Sequence, residues 1–207
     1  MGMGEPFDNF DNLIQAIRVF NTQKGFDIAL RHMTVSTCGL VPGIERLAKL
    51  DLPQLSLAIS VHSADDGVRS SLMPINRRYP LAELRKALAA YPLHKRRFFL
   101  VEYVLIKGVN DSKAAALALA EYLAPLKVRV NLIAYNPGRE DAATSASPSG
   151  FARVDDDELN AFADHLTELG LFVVKRWSKG QDLMAGCGQL SSRNTPGDPH
   201  AAVHTHT

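Results

Sequence analysis

The chain has 207 residues, 46% of them hydrophobic and 22% charged, with 23 basic and 22 acidic side chains. That length suits one domain with a real core, and a net charge of +1 excludes a strongly electropositive protein, so any nucleic-acid contact rests on local patches. Two cysteines are too few for a disulfide framework and point to a reducing, cytoplasmic setting, while the longest apolar runs, such as 98–106, fall far short of the roughly 20 residues of a membrane span. No basic start followed by an apolar stretch marks the chain for export.

MGMGEP at the start reads as the exit of a strand into a turn. Phe10, Leu13, Ile14, Ile17 and Phe20 recur at helical spacing and predict a helix over 9–24, begun by Asp8 or Asn9 and ended by Gly25. A strand over 33–37 closes on Cys38-Gly39, and a short helix covers 44–50. LSLAISV, 55–61, is apolar on both faces, as buried parallel strands are. A polar loop with Pro74 and Pro80 leads to a helix over 81–91 and a strand over 98–106. Asp111 is the expected cap of a helix over 113–123, and 128–135 is a strand. Residues 137–150, rich in Gly, Ser, Ala and Pro, read as an exposed loop. A helix over 155–168 begins on its own acidic residues and stops at Gly170, and 171–177 is the last strand. The tail 191–207 has almost no large apolar residue and reads as disordered, leaving one domain over 1–190.

Strands alternating with helices predict an α/β fold on a parallel sheet. Four full strands, a strand end at residue 1 and one more at the close fall short of the eight of a closed barrel. The expectation is therefore a partial (β/α), TIM-like barrel that lacks its first strands.

In such folds the chemistry gathers just past the carboxyl ends of the strands. Those positions carry Gly4-Glu5-Pro6, Ser36-Thr37-Cys38-Gly39, Ser60-Val61-His62, Asn136-Pro137 and Ala185-Gly186-Cys187-Gly188-Gln189-Leu190. These small, polar and reactive groups suit a polar small molecule without naming one. Glycines flank Cys187, and Lys175, Arg176 and Lys179 lie upstream, a setting that lowers a thiol pKa. A buried structural thiol is the competing reading. Arg77-Arg78, Lys95-Arg96-Arg97 and Lys175-Arg176-Lys179 are the local basic groups that could meet RNA phosphates, although a charge run is usually a solvated face.

MGMGEP, STCG followed by VP, AISVHS, LMPINRRYP, EYVLIKGVND, VNLIAYNP and AGCGQL stand in one order from residue 1 to about residue 190. Together they resemble the RlmN/Cfr family of radical S-adenosylmethionine (SAM) methyltransferases, which act on an adenine of 23S ribosomal RNA. The resemblance implies the radical SAM barrel, SAM and a 4Fe-4S cluster as cofactors, and 23S rRNA, with tRNA as a further substrate, as partners. It implies a route in which a cysteine first takes a methyl group and then passes the carbon to C2 of adenine, a position that direct displacement does not reach. Cys187 matches the methyl-carrying cysteine; Gly4, Glu5, Ser36, Ser60, Val61, His62 and Asn136 match the SAM contacts. Glu5 would hold the methionine ammonium through a charge-assisted hydrogen bond. Cys38 sits where the family accepts other small residues and reads as structural.

The chain departs from the pattern in one respect: it holds no CxxxCxxC, so it supplies no metal ligands, and its two thiols cannot make the three that such a cluster needs. The expectation is an N-terminally truncated or mis-started chain, with a split enzyme needing an N-terminal half and a decayed remnant as alternatives. An electron-donor protein is a further implied partner. C8 methylation within the same family, and SAM or RNA binding without activity, are the alternative functions.

Overall fold

The computed structural model describes residues 4–137 and 150–176. Six strands are present among them: β1 (Thr34–Thr37), β2 (Ser56–Ser60), β3 (Phe99–Lys107), β4 (Val128–Ala134), β5 (Ala152–Arg153) and β6 (Val173–Arg176). Helices α1 (Phe10–Asn21), α2 (Val41–Ala48), α3 (Asp66–Leu72), α4 (Leu81–Ala90), α5 (Lys113–Leu123) and α6 (Asp156–Glu168) lie between and around them.

The main sheet is parallel, in the order β1-β2-β3-β4-β6. Each crossover moves one strand further in the same direction, so right-handed connections keep the helices on one face. A doubly wound sheet would reverse its direction partway. This one does not, and it is an open stretch of a (β/α) barrel, as the alternation in sequence predicts. The two-residue β5 pairs antiparallel with the end of β3, Ile106 opposite Arg153.

Alternation along the strands sorts the two faces. On β3, Phe99, Val101, Tyr103 and Leu105 are each at most 2% exposed. Tyr103 stacks on Phe162 of α6 with ring centroids 5.7 Å apart, which fixes this as the helix-covered face. Register carries that face across the sheet through Leu57 and Ile59, Val130 and Leu132, and Val173. Ile44 and Leu47 of α2, Leu84 of α4, Leu119 and Leu123 of α5 and Leu166 of α6 complete the core.

Several local expectations shift. The first helix starts with a 3-10 turn at Pro6–Asn9, capped by Glu5, and α1 ends at Asn21. Proline near its first position starts α2 at Val41, three residues earlier than apolar spacing suggests. The cap of α5 is Ser112, whose Oγ accepts the Ala115 N–H at 3.1 Å; Asp111 instead accepts the Gly108 N–H at 2.9 Å and closes the preceding turn. The polar loop before α4 contains α3 and a 3-10 turn at Pro74–Arg77. No apolar stripe marked α3, because the side chain that it buries is Arg69. The acidic start of α6 is a full capping box between Asp155 and Glu158, and Gly170 adopts φ +89 at its stop. The expected strand exit at 1–3, the loop at 138–149, Cys187 and the tail at 191–207 lie outside the described residues.

Candidate functional site

One row of the sheet gathers polar groups on the face away from the helices. Ser60 pairs in register with Glu102, and Glu102 with Asn131. Thr37 is level with Ile59, so Cys38, one residue on, continues the same row past the end of β1. Asn131 Nδ2 donates to Glu102 Oε1 at 2.7 Å, and both residues are buried, at 6% and 5% exposure. The row lies near the carboxyl ends of β1 and β2, where parallel α/β folds place their sites.

Glu5 joins the row from the amino end of the chain. Its Oε2 accepts the Cys38 N–H at 2.8 Å and its Oε1 accepts the Phe7 N–H at 3.1 Å. Each carboxylate oxygen retains a lone pair for a further donor. Gly4 precedes it with φ +71. The Cys38 thiol is pushed up to about 12, chiefly by burial and then by the Glu5 carboxylate that it faces, so it stays protonated and does not act as a nucleophile.

Arg69 braces the site from beneath. It is fully buried. Nε donates to Val61 O at 3.1 Å, Nη1 to Asn76 Oδ1 at 2.6 Å, and Nη2 to both Ser60 O at 3.0 Å and Cys38 O at 2.8 Å. One guanidinium therefore ties the ends of β1 and β2 together through main-chain oxygens, a task for its planar fork of donors. Burial lowers its pKa, opposed by Tyr122, Cys38 and Asp66.

His62 stands at the end of β2 with φ 57, a conformation rare for a residue with a side chain. Its Nδ1 accepts the Val104 N–H at 3.1 Å, which places the ring proton of the neutral form on Nε2. Its carbonyl accepts from Asn110 Nδ2 at 2.6 Å. Burial first, and the Arg69 charge second, lower its pKa to about 4. The imidazole is neutral at physiological pH, with an N–H to offer.

The structure thus brings Glu5, Ser60 and His62 together at the strand ends. Ser36 sits two residues below Cys38 on the same face. Asn136 follows β4, where Arg153 of β5 donates to its Oδ1 at 2.6 Å. Val61 differs in kind: it is 1% exposed within the core, its N–H donates to Glu102 O, and its O accepts from Ser63 N and Arg69. It frames the site. Cys187 lies outside the described residues.

Glu102, Asn131, Arg69 and Arg153 escaped the sequence reading. Two of them left a signal, since Glu102 interrupts an otherwise apolar strand at 99–106 and Asn131 does so within 128–134. The basic residues divide differently from the expectation. Lys95, Arg96 and Arg97, with Lys127 and Arg129, line an open hollow of about 650 Å³ at the amino ends of β3 and β4, the far end of the sheet from the polar row. Lys175 reaches Asn160 of α6 at 2.6 Å, on the helix side.

Acceptor carboxylates, serine hydroxyls and a histidine N–H on one face fit a ligand with ammonium, hydroxyl and carboxylate groups, as SAM has. They do not fit an iron–sulfur cluster. The described residues include one cysteine, held protonated, and no group of three or more His, Cys, Asp or Glu that could hold a metal.

No protein-family model matches the chain. It is 42% identical over 193 residues to a dual-specificity RNA methyltransferase RlmN from Wolinella succinogenes, covering 93% of this chain and 51% of that protein. A protein of the same name from Sorangium cellulosum is 45% identical over 190 residues, covering 92% and 47%. The crystal structure of a radical SAM methyltransferase from Sphaerobacter thermophilus superposes with a TM-score of 0.82 at 43% identity, covering 91% of this chain and 53% of that one. The chain spans about half the length of the relatives it matches. By this agreement of sequence and fold, it belongs with the RlmN-type radical SAM methyltransferases.

Proposed function

We propose that the chain is the SAM-binding portion of a cytoplasmic RNA methyltransferase that modifies C2 of an adenine in 23S rRNA, and of tRNA as a second substrate. The observation that carries the reading is 42% identity to a dual-specificity RNA methyltransferase across 93% of the chain. The polar row supports it with groups suited to SAM.

Bound SAM supplies the methyl group that is transferred. Glu5 receives the ammonium of its methionine part, and Gly4 lets the main chain approach. Ser36, Ser60 and the Asn136 amide contact the remaining polar groups, and His62 presents its Nε2–H, with Val61 holding the strand end between them. Arg69 keeps this frame rigid. Cys187 is the methyl-carrying thiol in this reading. Cys38, held protonated, does not compete with it. The three thiolates of a 4Fe-4S cluster exceed the two cysteines of this sequence, so these residues do not supply its ligands; an electron-donor protein is a further partner in this reading.

Two measurements test the proposal. Equilibrium dialysis with labelled SAM is expected to give saturable binding to the chain, weakened by Glu5→Ala; no binding overturns the cofactor assignment. Deleting the gene at its locus and digesting 23S rRNA to nucleosides is expected to remove 2-methyladenosine from the mass spectrum. Loss of 8-methyladenosine would favour the alternative carbon, and an unchanged spectrum would favour a binding remnant.

A further inference from the structure

Among the described residues, the Glu102 carboxylate is half satisfied. Asn131 donates to Oε1 at 2.7 Å, and no described residue donates to Oε2. The residue is 5% exposed, on the face away from the described helices. A buried carboxylate oxygen without a donor is costly, and such groups in native structures have a reason. Asn131 fixes the plane of the carboxylate, and Ser60 flanks it in register. Nothing in the apolar remainder of β3 requires a charge here.

Position suggests what Oε2 is for. Glu102 lies two strands across the row from Cys38, whose N–H holds Glu5. Two strand spacings make roughly 10 Å. An amino acid joined through sulfur to a ribose bridges such a gap, with its ammonium at one carboxylate and its hydroxyls at the other. A carboxylate is acceptor-only when ionised, and a vicinal diol offers it two donors. A carboxylate accepting from ribose hydroxyls is a recurring arrangement in nucleotide sites.

We infer that Glu102 is a positioning residue for SAM, its carboxylate accepting the hydrogen bonds of the ribose 2′,3′-diol while Asn131 orients it. The inference rests on the SAM reading above and adds a residue to it.

The test pairs a change in the protein with a change in the ligand. SAM and its 2′-deoxy and 3′-deoxy analogues are titrated into the wild-type chain, Glu102→Gln and Asn131→Ala, each checked for native circular dichroism. Glu102→Gln is expected to weaken SAM about 10- to 100-fold, the range for a hydrogen bond to a charged group. At least one deoxy analogue should bind the wild type correspondingly weakly and lose almost nothing further in Glu102→Gln. A residue that merely supports the fold would lower affinity for SAM and analogues alike. Asn131→Ala is expected to lose part of the SAM affinity and part of the discrimination. The inference is overturned if Glu102→Gln binds SAM within about threefold of wild type, or loses equally for SAM and both analogues. If Glu102→Gln does not fold, the wild type decides by itself: equal affinity for SAM and both analogues overturns the inference. A wild-type chain that binds no SAM overturns this assignment together with the proposed function, whereas SAM binding indifferent to Glu102 overturns this assignment alone.

Discussion

The two faces of β3 are built on different terms. Phe99, Val101, Tyr103 and Leu105 meet helices, and their burial is paid in released water, roughly 1.5–3 kcal/mol for each large side chain. Across the same backbone, Glu102 is also buried, at 5% exposure, and among the described residues accepts only from Asn131. The first face holds the fold together, and its demands are size and shape. The second buries polar groups, at a cost in stability. Arg69 mediates between them, since it is as buried as any leucine of the core yet spends its donors on the ends of the site-bearing strands.

That contrast can be broken at several points. Arg69→Ala removes the donor from Cys38 O, Ser60 O and Asn76 Oδ1 and one of two donors from Val61 O, and is expected to cost roughly 4 kcal/mol or more, given about 1–3 for each buried group left unpaired. Chemical denaturation measures it, and Arg69→Lys should recover only part, because an ammonium does not reproduce the fork. A loss under about 1 kcal/mol would show that the strand ends need no brace.

The His62 ring gives a pH signature. Its folded pKa, about 4, lies below its ordinary 6.5, so the unfolded chain takes up the proton first as pH falls. Its contribution to stability is complete above pH 6.5 and is lost between there and pH 4, at most about 3 kcal/mol for a shift of this size. Asparagine tolerates the left-handed backbone and cannot titrate, so His62→Asn should flatten the stability profile over that interval. An unchanged slope would place the acid sensitivity elsewhere.

On the apolar side, a Cβ at Gly43 of α2 would overlap the Phe7 ring, which sits just beyond Glu5. Gly43→Ala should therefore cost about 1–3 kcal/mol by overpacking, and should weaken SAM binding as well if the Phe7 turn carries Glu5. The smallest effect is chemical. With its pKa near 12, Cys38 should resist iodoacetamide at pH 8 in the folded chain and react on unfolding, as peptide mapping would report.

Most of the fold was legible because its signals are local. Alternating β and α periods, the acidic start at 155–158 and Gly170 announced most elements to within about three residues. Helix α3 did not, since its buried face is one arginine whose partners lie at Val61, Ser60 and Cys38. The candidate site was legible where polar residues stand at strand ends, as Ser60 and His62 do. Glu102 and Asn131 are polar breaks in apolar runs that the sequence reading passed over, and nothing local says that they face each other.

The sequence by itself determined a parallel α/β sheet, its helices and a set of small polar residues past the strand ends, because hydrophobic period and turn chemistry act over a few neighbours. Only the tertiary structure decided that Glu5 closes on Cys38, that Arg69 binds two strand ends, and that Asn131 faces Glu102. Those facts depend on tertiary packing and strand register, which bring together residues 29 to 33 positions apart and which no local pattern encodes.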